Sequence, residues 1–347
     1  MTNHPFITIL TPTYNRKDQL PALYHSLQAQ TAPKDSFLWL IADDGSTDGT
    51  EELVRKWQQE QKKGMQQNAG SAQEQTDITQ KQADITQEQA TMQEQTASAQ
   101  NMQISGVRIQ YLSMENGGKH RAMNRAMQEV TTPLVFPVDS DDALTPDAVE
   151  TVQKAAKNAK EPESTASLCG FSFQRVQPDG TWMSGAVSED GVYSTYCQER
   201  INRNNLGDMA EVWVSDVLRQ YPFPEFEGEK FLGEDTVWVT MSGEHPMRFC
   251  NKAIYCSEYL EEGLTNNRRR HNLQSPMGCT KRAEVFLNAS QIKWIYKIKP
   301  AMQYWIYGHV AGTTRQELMR KRPKGSGALL LVTFLPAVIL EHQWVKR

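Results

Sequence analysis

Four short apolar runs, FITILT (6–11), FLWLIA (37–42), VRIQYL (107–112) and LVFPV (134–138), alternate with stretches of helical periodicity, and this alternation constrains the fold more than any other feature. Runs that are apolar at successive positions suit parallel strands covered on both faces. Between them, Leu20, Leu23, Tyr24 and Leu27 fall at i, i+3, i+4 and i+7, which places one apolar face on a helix. Asp48 and Glu51 have capping-box spacing before Leu53, Val54 and Trp57. Ala122, Met123, Ala126, Met127 and Val130 make a third helical stripe, and Thr145 with Pro146 predicts a further helix start. The β-α-β-α order predicts an α/β, doubly wound domain.

One segment breaks that rhythm. From Gln58 to Gln103 the chain carries fifteen glutamines and no aromatic residue. Ile78, Ile85 and Met92 lie seven apart, too thin a stripe for a coiled coil. A projecting helix and a disordered polar insertion are both open, and the stretch 58–105 reads as a loop expansion between the second helix and the third strand. Later, LCGFSFQRV (168–176) and MRFCNKAIY (247–255) are strand-like, and residues 291–347 read as a helical C-terminal extension. We therefore expect one catalytic-type domain over 1–290, with halves 1–150 and 151–290.

Net charge is −4 with both signs interspersed, so nucleic acid is not the expected partner. Five cysteines without a CxxC pair argue against a disulfide framework or a structural zinc site, and MTNHPFITIL lacks the marks of a signal peptide, so a cytoplasmic location is expected. ALLLVTFLPAVIL (328–340) is shorter than the roughly 20 residues of a spanning helix and contains Pro336. With Lys321, Arg322 and Lys324 before it and Trp294 and Trp305 upstream, it fits either a bilayer surface or a packed terminal helix.

Three early strands end in polar turns, TPTYNR (11–16), ADDGSTD (42–48) and DSDDALT (139–145). In a parallel sheet these turns share the carboxyl edge, where α/β folds bind ligands. Crowding Asp139, Asp141 and Asp142 together is unfavourable unless something positive sits among them; without it one acid should show a raised pKa or stay solvated. Carboxylates one residue apart suit a hard divalent cation, Mn²⁺ or Mg²⁺, that also holds phosphate oxygens.

TPTYNR, IADDGSTDGT, ENGGKHRAMNRAM (115–127) and VDSDD together resemble the family 2 glycosyltransferases, inverting enzymes of GT-A fold that use nucleotide-diphosphate sugars. The resemblance implies a base pocket lined by Thr11, Pro12, Tyr14 and Arg16, with Asp44 bonding the base or ribose. It makes Asp139 and Asp141 the DxD pair, Asp141 the direct metal ligand. Asn116, Gly118, Ala122 and Asn124 follow the family's NxGxxxARN pattern, but Met123 stands where arginine is usual; Lys119 and Arg121 supply positive charge nearby.

In EGEKFLGEDTVWV (227–239), Glu234 and Asp235 open a helical stretch at the place where similar enzymes carry an ED pair whose Asp is the general base; a plain N-cap is the other reading. YLEEGLTNNRRRH (259–271) resembles a following segment in bacterial members. Its Arg268, Arg269, Arg270 and His271 can close over a diphosphate or form a basic surface loop. These readings converge on transfer from a nucleotide-sugar donor, with UDP or another nucleotide leaving, to a saccharide or lipid-linked acceptor. A sugar-phosphate nucleotidylyltransferase would carry a Gly-rich loop after strand one, and TPTYNR has no glycine; a non-catalytic carbohydrate-binding scaffold would not need all of Asp44, Asp139, Asp141 and Asp235.

Overall fold

A computed structural model describes residues 4–63, 106–159, 167–257 and 268–345. The glutamine-rich insertion beyond residue 63, and residues 259–267 of the basic segment, lie outside the described residues. Among the described residues nine strands form one mixed sheet, ordered β3-β2-β1-β4-β8-β6-β9-β5 with β7 paired to β9. β1 (Ile7–Thr13), β2 (Phe37–Asp43), β3 (Arg108–Ser113) and β4 (Leu134–Pro137) are the four apolar runs, and all are mutually parallel. β5 (Ala143–Leu144), β6 (Gly170–Val176), β7 (Val192–Ser194), β8 (Met209–Val214) and β9 (Met247–Cys256) complete it. β8 runs antiparallel to β4, so the switch from parallel to mixed pairing falls beside the strand that ends in the acidic turn.

Helices α1 (Leu20–Gln28), α2 (residues 50–63), α3 (Lys119–Met127) and α4 (Ala148–Lys157) follow the predicted stripes. Leu20, Leu23, Tyr24 and Leu27 are all buried, and Tyr24 stacks on both Trp39 of β2 and Trp57 of α2, at 5.8 and 4.4 Å between ring centres. Apolar side chains therefore cover both faces of β1, β2 and β4, as their unbroken hydrophobicity required, whereas β3, at the sheet edge and carrying Arg108 and Gln110, is only half-buried.

Two local signals resolve differently from expectation. α4 starts at Ala148 with Asp147 as N-cap, because Thr145 spends its hydroxyl on Asp147 Oδ1 (2.8 Å). Asp48 forms no capping box with Glu51. It accepts from the Thr50 backbone (3.0 Å) and from the Lys17 backbone (2.9 Å), tying the β1 and β2 turns together, while Glu51 pairs with Arg55.

The second half adds α5 (Ser215–Leu218), α6 (Asp235–Met241), α7 (Arg268–Gln274), α8 (Pro276–Asn288), α9 (Ile298–Val310), α10 (Arg315–Arg320) and α11 (Gly327–Val345). The C-terminal helices pack on their own cluster, centred on Tyr304, Trp305, Ile306 and Tyr307. α11 keeps Pro336 inside it and is 19 residues long, carrying the apolar run on into Glu341, His342 and Gln343. By length and composition alone it is long enough to cross a membrane, with mean hydropathy 1.4 over Gly327–Trp344.

Candidate active site

The register of the parallel strands fixes the site. Thr13 lies opposite Asp43 and Leu10 opposite Pro137, so the turns after β1, β2 and β4 leave the sheet at one edge. Asn15 N–H donates to Ser46 Oγ and Thr47 N–H to Asn15 Oδ1, both at 2.8 Å. Arg16 reaches across to Asp141 at 3.8 Å.

A loop before α3 closes the crevice from the side. Asp44 is buried, and its carboxylate accepts from Asn116 Nδ2 (3.0 Å), Gly117 N–H (2.7 Å) and Gly118 N–H (2.8 Å). Gly118 sits at φ +99°, and a Cβ there would come within 2.0 Å of Lys230 O. Gly118→Ala is expected to destabilise the protein by about 2 kcal/mol or more, since a strained φ and a backbone overlap must both be relieved. A urea melt checks this; an unchanged midpoint would contradict the close approach.

Directly after Gly118, Lys119 crosses the crevice. Its Nζ pairs with Asp139 from the β4 turn and with Glu234 Oε1 (2.7 Å) at the start of α6. Burial alone would pull the lysine down, but Asp139 and Glu234 raise it well above its usual value. Burial pushes the Asp139 carboxyl up, and the charges of Lys119 and Arg175 outweigh that and hold it below the carboxylate range. Arg175, at the end of β6, lies 3.9 Å from Asp139 and 3.7 Å from Asp142, over the ring of Tyr255. Asp142 behaves oppositely: burial and the neighbouring Asp139 charge push it up to about 7, although Tyr255 donates to it (2.7 Å). The crowded acids are thus relieved by Lys119, Arg175 and Arg16, and by one group that holds its proton longer.

Facing them, both oxygens of Asp235 are taken by the guanidinium of Arg282 on α8, Nε at 2.6 Å from Oδ1. Asp235 is the first residue of α6 rather than its N-cap; Glu234 occupies that position without a side-chain cap. Burial would lower Arg282, but Asp235 raises it above its usual value.

The glycosyl transferase family 2 profile matches residues 8–66 and 84–203, more than half of the chain. The chain belongs to glycosyl transferase family 2. It is 31% identical over 182 residues to TuaG of Bacillus subtilis, whose name assigns it provisionally to teichuronic acid biosynthesis, covering 52% of each chain. It is 34% identical over 53 residues to the glycosyltransferase AglE of Haloferax volcanii, covering 15% of this chain and 17% of that one. The match thus spans about half or less of these curated relatives. Among solved structures, S. aureus TarS 1–349 superposes with TM-score 0.55 at 17% identity, covering 96% of this chain and 80% of that one. The same protein in complex with UDP-GlcNAc gives 0.56 at 16%, covering 94% and 79%. The fold is the GT-A arrangement that the motifs implied.

Within this family 2 fold the expected residues divide. Tyr14 (48% exposed) and Arg16 border the open crevice with Asp139, Asp141, Lys119, Glu234 and Asp235. Thr11 does not: it is fully buried, and its hydroxyl accepts from Trp39 Nε1 (3.0 Å), because strand alternation turns it into the core; Pro12 beside it is buried as well. Arg121 turns away to Glu225 (3.0 Å) and the Phe226 carbonyl, fastening the loop before α6. Asn116 holds Asp44 and Lys230, and Met123 fills the core where the family pattern has arginine. In α7, Arg269 lies over Trp344 of α11 at 5.2 Å and His271 stacks on Phe231, so the segment here is helical and touches the protein rather than standing free as a loop; Arg269 and Arg270 are both exposed and His271 is half-buried.

Arg175, Tyr255 and Arg282 were missed by sequence reasoning. A charged residue ending the otherwise buried GFSFQRV strand was a usable signal for Arg175; nothing local marks Arg282, which meets Asp235 across 47 residues. Among the described residues no group of three His, Cys, Asp or Glu converges on one point. A cation held by Asp141 and Asp139 would therefore take further oxygens from a ligand and water, the usual habit of magnesium-type sites. Asp141 fits that role: it is a quarter exposed and its contact with Arg16 is loose.

Proposed function

We propose that this family 2 protein transfers a sugar, with inversion, from a nucleotide-diphosphate donor to a hydroxyl of a saccharide or lipid-linked acceptor in surface polysaccharide synthesis. The observation that carries the reading is the Lys119 bridge, which brings the acidic turn after β4 and the acidic pair opening α6 to either side of one lysine. An inverting displacement needs that arrangement, since leaving group and incoming hydroxyl occupy opposite faces of the sugar.

In this reading the donor diphosphate lies along Asp139, Asp141, Arg16 and Lys119. Mn²⁺ or Mg²⁺ held by Asp141 and Asp139 would supply charge stabilisation for the departing diphosphate. Lys119 then serves the same end, moving from carboxylates to phosphate when the donor arrives. Tyr14 offers its exposed ring to the base, while Asp44 shapes the floor through the 116–118 loop. Asp235 takes the proton of the attacking hydroxyl, with Glu234 beside it.

UDP-sugars are the donors to test first, because TarS, of the same fold, was crystallised with UDP-GlcNAc. TuaG's name supports a polysaccharide of the teichuronic acid type as the product class, and the proposed site of action is cytoplasmic. A thermal-shift series tests the proposal. A donor at a hundredfold excess over Kd stabilises the folded state by about 2.7 kcal/mol. We expect a rise of several degrees with a UDP-sugar plus Mn²⁺ and a much smaller one with either alone. No response to any nucleotide sugar in the presence of metal would refute the reading.

A further inference from the structure

The last helix presents a face that the folded chain does not use. α11 turns Leu330, Thr333 and Ala337 inward, none more than 4% exposed. Trp305 of α9 donates its indole N–H to the Leu330 carbonyl (2.9 Å) and meets the Phe334 ring edge-on at 5.2 Å. The outward positions Ala328, Leu331, Val332, Leu335, Pro336 and Ile339 are all exposed and all apolar. Leu331, Val332 and Leu335 keep 66%, 77% and 65% of their surface in solvent. At 1.5 Å per residue this outer stripe is about 18 Å long, with no polar side chain interrupting it.

Charge frames one end of the stripe. Arg320, Lys321, Arg322 and Lys324 are exposed just before α11. Trp294, 70% exposed, lines one groove with Lys324, Leu329 and Val332, so the indole, a cation and the apolar stripe share a rim. Tryptophan and basic residues flanking an apolar helix face are the combination that settles at headgroup depth.

We propose that this face docks the protein on an anionic lipid bilayer, with α11 lying flat along the surface. The helix is kept from crossing by its inner face, where Arg315 pairs with Glu341 (2.6 Å) and α9 covers Leu330 and Ala337. A second copy of the chain is the weaker occupant on charge grounds. Antiparallel pairing would set the basic collar against His342, Gln343 and a Glu341 already engaged by Arg315 and His309; parallel pairing would set collar against collar. Anionic headgroups supply the countercharge that neither pairing offers. This docking holds whether or not the protein transfers sugar, so the two readings fail separately.

The test is cosedimentation of the full chain with phosphatidylcholine vesicles, with and without phosphatidylglycerol. We expect binding to the anionic vesicles that falls with added salt. Leu331→Ser with Leu335→Ser should cut the bound fraction about tenfold or more. Lys321→Gln with Lys324→Gln should remove most of the salt-sensitive part. All four positions are exposed, so melting temperatures should match the unaltered protein. Absence of vesicle binding, a serine pair that binds as well as the parent, or a dimer that the serine pair dissociates would each overturn the proposal.

Discussion

Asp235→Asn is expected to lower kcat for sugar transfer by about 10² to 10⁴-fold, the usual contribution of a positioned general base. A hydroxyl is a poor nucleophile, and an amide of the same shape cannot take its proton. Donor affinity should change by only a few fold, because Asp235 lies across Lys119 and Glu234 from the Asp139 turn. Arg282 makes the experiment informative. It clasps both carboxylate oxygens, packs over Phe286 at 4.6 Å and reaches Gln303, so it aims the acid. Asparagine retains one acceptor for that guanidinium, so folding should survive, which a melting curve verifies. A folded variant with unaltered kcat would remove Asp235 from the reaction and leave Glu234 as the acid to examine.

Asp141→Asn should reduce turnover by about 10²-fold or more and abolish its response to Mn²⁺, as a group that stabilises departing charge is lost. Asp139 is the less informative choice, since replacing it would also strand Lys119 and disturb Arg175. Among the described residues Asp141 has only the loose 3.8 Å contact with Arg16 as an ion pair, so loss of activity there reports on chemistry rather than folding. Manganese titration of initial rates, alongside a calorimetric measurement of metal binding in the presence of UDP, reads the effect. Unchanged turnover and unchanged metal affinity would dissolve the proposed centre.

Legibility differed along the chain for physical reasons. The strands and the stripe Ala122, Met123, Ala126, Met127 and Val130 were readable because burial on both sides of a sheet imposes a local pattern. The start of α4 was misplaced because Thr145 and Pro146 are equally good turn residues, and only the Asp147 bond separates the cases. Thr11 and Arg121 were assigned to the ligand side by motif position. A motif gives spacing, and side-chain direction came from Trp39 in one case and from the 225–226 loop in the other.

By itself, the sequence determined the parallel β-α-β order, the shared edge for three polar turns, and the four acids on which the chemistry would turn, since each is written in local spacing and residue type. Only the tertiary structure decided what neutralises those acids and what holds them: Lys119 between Asp139 and Glu234, Arg175 between Asp139 and Asp142, and Arg282 on Asp235. It also decided that one face of α11 is covered and the other bare. Coulomb pairing and burial depend on distance in space, and partners separated by 20 residues (Lys119 and Asp139) to 115 (Lys119 and Glu234) leave no local pattern to read.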